Sequence, residues 1–74
     1  MKYRFENLTI EAVDEYVRIS NGIKTQVSKR QAPPPTEVAQ MVADMRGYWP
    51  EPGVLQGCAR AAADAARNKI TIAL

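Results

Sequence analysis

The chain has 74 residues, ten Lys and Arg against eight Asp and Glu, one Cys and no His. These counts exclude an internal disulfide, a Ser–His or Cys–His nucleophile pair, and a neutral-pH imidazole switch. They also leave too few nitrogen and sulfur ligands for a structural zinc, so no metal is expected.

Met1 to Glu6 has no apolar run of the secretory kind, and no uncharged stretch reaches the roughly 20 residues of a membrane span. A lone cysteine suits a reducing compartment, so a cytoplasmic protein with no membrane contact is expected. Lys2 to Phe5 reads as a strand. The next segment supports several readings. Ile10, Val13 and Val17 have the spacing of a helix from Asn7 or Thr9 to Ser20, and a short helix near residues 8–14 is expected. A strand over 8–12 also works, with Leu8 and Ile10 against Phe5 and Tyr3 and with Lys2 opposite Glu11.

Ser20-Asn21-Gly22 is a turn signal inside an expected hairpin spanning about residues 15–28. A three-residue loop would pair Ile19 with Ile23 and Val17 with Thr25. Val17, Ile19, Ile23 and Val27 would then share one face, and Arg18, Lys24 and Gln26 the other. Gly22 would take the left-handed position of that loop.

Pro33-Pro34-Pro35 cannot continue a helix or sit inside a sheet, so residues 32–35 form a stiff connector within a single domain, 1–74. A helix over about 36–46 follows, with Thr36 as its N-cap. Val38, Met41, Val42 and Met45 share its apolar face, and Gly47 ends it. Tyr48-Trp49-Pro50-Glu51-Pro52 is a rigid elbow. Its aromatic pair either covers the core or forms a contact site, with Trp49 read mainly as core. A second helix over about 53–68 buries Val54, Cys58, Ala61 and Ala65, and Asn68 closes it. Cys58 reads as a packed small hydrophobe. Ile70-Thr71-Ile72 alternates and predicts a terminal strand over about 69–74. The fold class is α+β. Val38, Met41, Val42, Met45, Leu55, Ile70 and Ile72 are the expected shared core.

Leu8 to Tyr16 resembles the opening helix of excisionase-type winged helix-turn-helix domains. The resemblance implies a DNA-binding regulator. Downstream the sequence departs from that pattern. Asn21 and Gly22 stand where a recognition helix would start, Lys24 replaces an apolar position, and a proline run replaces the basic wing.

The charges are uneven. Residues 16–31 hold Arg18, Lys24, Lys29 and Arg30 without an acid, for a net +4. A basic two-stranded ribbon can enter a major groove, whereas lysines on an edge also simply discourage aggregation. The carboxylates are scattered, and no phosphate loop, dinucleotide fingerprint or calcium loop occurs, so neither catalysis nor a cofactor is expected. The expected function is a non-enzymatic module that occupies the surface of a partner protein. In size, alanine content and lack of catalytic groups the chain resembles small inhibitors and adaptors of phages and other mobile elements, anti-CRISPR proteins among them. Nucleic-acid binding through residues 16–31 is the alternative. A small core gains from a second subunit, so a homodimer is compatible with either. The candidate contact residues are Arg18, Lys24, Lys29, Arg30, Tyr48 and Trp49.

Overall fold

The computed structural model describes the backbone of residues 1–73 and the side chains of residues 1–70. Four strands run β1 (Lys2–Phe5), β2 (Leu8–Val13), β3 (Tyr16–Ser20) and β4 (Thr25–Val27), followed by helices α1 (Pro35–Arg46) and α2 (Pro52–Ala73). The strands form one antiparallel sheet in sequence order. The α+β class therefore holds, as a two-layer arrangement with both helices on one face of the sheet.

Alternation dictates that layering. Leu8 and Ile10 of β2 and Val17 and Ile19 of β3 are buried, while the residues between them lie on the other face. Val38, Ala39 and Val42 of α1 and Val54, Cys58, Ala61, Ala62 and Ala65 of α2 complete the core. The small side chains of α2 let it lie close against the sheet. Of the expected core, Val38 and Val42 are fully buried, and Met41, Met45 and Leu55 pack around its rim.

Four expectations are corrected. First, residues 8–13 form a strand, with Lys2 opposite Glu11 and Tyr3 opposite Ile10. Strand pairing on both edges buries Leu8 and Ile10 and overrides the helical spacing of Ile10, Val13 and Val17. Second, the β3–β4 register pairs Ser20 with Thr25 and Ile19 with Gln26. The loop therefore has four residues, Asn21–Lys24. Asn21 Oδ1 accepts the backbone N–H groups of Ile23 (2.9 Å) and Lys24 (2.7 Å), which closes this longer turn. Gly22 has φ 89°, so its left-handed conformation stands although the loop differs. Ile23 and Val27 leave the core face and are exposed.

Third, residues 69–73 continue α2, so there is no strand at 69–73; residue 74 lies outside the described residues. Each added helical residue gains a backbone hydrogen bond without needing a free sheet edge. Asn68 does not close the helix; its Nδ2 donates to the carbonyl of Asp14 in the β2–β3 loop (2.6 Å). Ile70 is 64% exposed and is not core, while the side chain of Ile72 lies outside the described residues. Fourth, Pro34, not Thr36, is the N-cap of α1, and Pro35 starts the helix, where its missing N–H costs nothing. Gly47 does end α1, at φ 87°, with its N–H donating to Ala43 O (2.7 Å).

The first two hairpins turn on two residues each, Glu6–Asn7 and Asp14–Glu15. Glu6 and Asp14 sit at φ 56° and 54°, a region that disfavours a Cβ. Glu6 is exposed, so its side chain offers little in return. Glu6→Gly should therefore raise stability by about 0.5–1 kcal/mol, after the entropy of the glycine is set against the relieved strain. Urea denaturation checks this, and a loss of stability would mean that the loop is unstrained.

Candidate protein-binding surface

The residues of the basic segment do not form one ribbon. Arg18 lies on the open face of the sheet, in a row running Lys2, Glu11, Arg18 and Val27 across all four strands. Its Nε donates to Glu11 Oε1 at 3.1 Å, and Nη2 contacts the same oxygen. That guanidinium holds the Glu11 carboxyl below its ordinary range. Arg18 and Lys24 are not cross-strand neighbours, because the four-residue loop puts Val27 opposite Arg18 and leaves Lys24 in the loop. Arg30 pairs with Glu37 at the start of α1 (Nη2–Oε1 2.8 Å). Two of the four cations thus already have carboxylate partners, and Lys24 and Lys29 are left flanking β4.

The segment after β4 is fixed by Ser28, which is buried. Its Oγ accepts the N–H of Val17 (3.1 Å) and donates to the carbonyl of Arg30 (3.0 Å), while its own N–H donates to Val17 O (2.8 Å). A hydroxyl here takes over a ladder hydrogen bond as the chain turns off the sheet, and it positions Lys29 and Arg30 at the rim.

At the opposite corner, the α1–α2 elbow carries the aromatic pair. Trp49 is 53% exposed, as is Tyr48, so the reading of Trp49 as core does not hold. The neighbouring Pro50 is buried instead. The guanidinium of Arg46 lies 4.8 Å from the centre of the Tyr48 ring and pairs with Glu51 across the elbow (3.3 Å). Phe5, Glu6, Arg46, Tyr48, Glu51 and Val54 surround a groove of about 460 Å³ beside it. Arg46 was not among the sequence candidates. Its signal was its place in the last turn of α1, two residues before Tyr48.

Two other polar features serve the fold. Tyr3 OH donates to Asp64 Oδ2 (2.7 Å), and the same buried carboxylate pairs with Arg67 and lies 3.7 Å from the N-terminal amine. Accepting from Tyr3 raises the phenol above its ordinary pKa. This cluster ties β1 to the middle of α2. Cys58 is fully buried, and burial pushes its thiol up to about 11. The folded thiol keeps its proton after an unfolded one, near 9.0, has lost it. This contribution to stability is therefore complete below the unfolded value and disappears as pH rises toward about 11. Comparing Cys58→Ala with wild type over that range should isolate it. At neutral pH, iodoacetamide should label native Cys58 at least about 10³-fold more slowly than the urea-unfolded chain, because access requires opening of the core. Equal rates would place the thiol at the surface.

Leu8 to Tyr16, which resembles an excisionase-type opening helix in sequence, runs through β2 and a turn into β3, so that likeness does not extend to structure. Among the described residues, no helix is long and apolar enough to cross a membrane, and no three His, Cys, Asp or Glu residues cluster to hold a metal. No protein-family model, curated protein or solved structure matches this chain.

Proposed function

We propose that this chain is a non-enzymatic module that binds a partner protein through Arg46, Tyr48 and Trp49. The observation that carries the reading is the exposure of both aromatic rings on an elbow held rigid by Pro50 and Pro52. Tyr, Trp and Arg are the residue types most enriched at interface hot spots, and a rigid support lowers the entropy cost of docking them. Arg46 is already held against Tyr48, so this pair is preorganised. An inhibitor or adaptor of the kind carried by mobile elements is the form of this reading that the composition favours. The ion pairs of Arg18 with Glu11 and of Arg30 with Glu37 weigh against nucleic acid, since they reduce the cations left for phosphates.

The test compares three versions of the chain as bait in an extract of the source cells: wild type, Tyr48→Ala/Trp49→Ala, and Lys24→Glu/Lys29→Glu. The aromatic variant should lose the retained partner by at least about tenfold, as expected for hot-spot truncation. Unchanged circular dichroism would show that the variant folds. Salt-dependent retention on a DNA column, lost in the lysine variant and kept in the aromatic one, would overturn the reading in favour of nucleic acid. A doubled mass in sedimentation that reverts in the aromatic variant would make the partner a second copy.

A further inference from the structure

The sheet has two outer strands, and their edges differ. Alternation along β1 directs the backbone groups of Lys2 and Arg4 outward, and charged side chains guard that edge. On β4 the hydrogen bonds of Asn21 N–H to Lys24 O (3.1 Å) and Ser28 N–H to Val17 O (2.8 Å) fix the phase of the ladder. Lys24, Gln26 and Ser28 therefore face β3, and the N–H and C=O groups of Thr25 and Val27 point outward. No charged residue lies within β4 itself.

That edge opens onto a groove of about 630 Å³ whose far wall is α1. Glu37, Gln40, Met41 and Asp44 recur at helical spacing along this wall, and Gln26 and Val27 line the strand side. Glu37 is neutralised by Arg30, and Asp44 accepts from Gln40 (2.9 Å), so Met41 provides an apolar patch between satisfied groups. Lys24 and Lys29 stand at the two ends of the strand, and among the described residues no ion pair engages either of them.

We propose that β4 and α1 form a second docking site, which takes an extended segment of a partner protein as a fifth strand, uncharged at its centre and acidic at its ends. The outward groups of Thr25 and Val27 supply main-chain hydrogen bonds, as in other strand additions. The alternate side chain that faces α1 rests against Met41 and is uncharged, because Asp44 lies beside it. Acids about five residues apart meet Lys24 and Lys29. The same lysines select against a second copy of this chain: antiparallel pairing of two β4 strands would bring Lys24 of one copy close to Lys29 of the other. This site does not depend on the elbow, and either can fail alone.

The probe is a capped hexapeptide with aspartate at each end and valine alternating with threonine between them, titrated into the full ¹⁵N-labelled chain. Saturable amide shifts are expected at Thr25, Val27, Lys29, Gln40 and Met41, together with slowed exchange of the Thr25 and Val27 amides. The same peptide ended by lysines should bind at least about tenfold more weakly. Val27→Pro removes a donor that β3 does not use, and it should weaken the acidic peptide by about tenfold. Lys24→Glu/Lys29→Glu should reverse the preference between the two peptides, which keeps the test open if the proline variant does not fold. Equal binding of both peptides, shifts confined to Tyr48 and Trp49, or no saturable binding would overturn the proposal. So would β4 shifts that grow with protein concentration alone, since the occupant would then be a second copy.

Discussion

Ile19→Ala is expected to cost about 2–5 kcal/mol, while Ile23→Ala should stay within about 0.5 kcal/mol of wild type. Both are isoleucines on the same hairpin, so the contrast comes from register alone. Ile19 is fully buried against the helices, and Ile23 is 92% exposed in the Asn21–Lys24 loop. Under a three-residue loop the two would be opposite each other on the core face, and their truncations would cost similar amounts. A domain of this size has only about 4–11 kcal/mol of stability, so loss of Ile19 removes a large share of it. Urea denaturation of the two variants measures the difference. Comparable losses would establish the shorter loop in place of the observed pairing.

That register marks where the sequence stops being decisive. A hairpin around Gly22 was legible because Asn-Gly and flanking β-branched residues are local signals. Its loop length was not, because the Asn21 side chain supplies two hydrogen bonds that a three-residue loop would not use. The turns at Glu6–Asn7 and Asp14–Glu15 escaped notice for a related reason. Neither contains glycine, although each holds its first residue at positive φ. Strand pairing imposes that strain from outside the loop. With those turns unseen, Leu8 to Val13 lacked boundaries, and its helical spacing carried as much weight as its alternation. The stripe of Val54, Cys58, Ala61 and Ala65 was legible because one helix face specifies it without reference to any partner element. The run at Ile70 was misread because a period of two over five residues does not outweigh propagation of a long helix.

The candidate site divides in the same way. Tyr48 and Trp49 were visible as a pair on an elbow, but their exposure was not, because Pro50 and not Trp49 is the buried residue there. The basic segment was visible as composition. Its partial neutralisation was not, because Glu11 and Glu37 are each seven residues from their arginines and reach them only through a strand pairing and a loop closure. The groove under α1 could not be read at all, since its two walls come together only after the proline connector crosses from sheet to helix.

Gly57→Ala should destabilise the protein by about 1–2 kcal/mol in the wild-type background and stabilise it by about 0.5–1 kcal/mol when Phe5 is also alanine. Gly57 is buried within α2, and the ring of Phe5 lies over it. A Cβ at this position would fall 2.5 Å from Phe5 Cε2 and 2.6 Å from Cζ, well inside contact distance. Helix propensity alone favours alanine over glycine by about 1 kcal/mol. Displacing a packed ring outweighs that gain, because Phe5 is rigid beyond χ2 and is held on β1 by the pairing of Phe5 with Leu8. Removing the ring leaves only the propensity term, so the sign should reverse. The resulting coupling of about 1.5–3 kcal/mol lies in the upper part of the range for residues in direct contact. Denaturation of the four proteins of this cycle measures it. The same effect of Gly57→Ala in both backgrounds would mean that the ring does not set the distance between α2 and β1. Phe5 also lines the groove beside Tyr48, so a ring pushed off Gly57 should disturb the partner binding proposed for the elbow even in variants that remain folded.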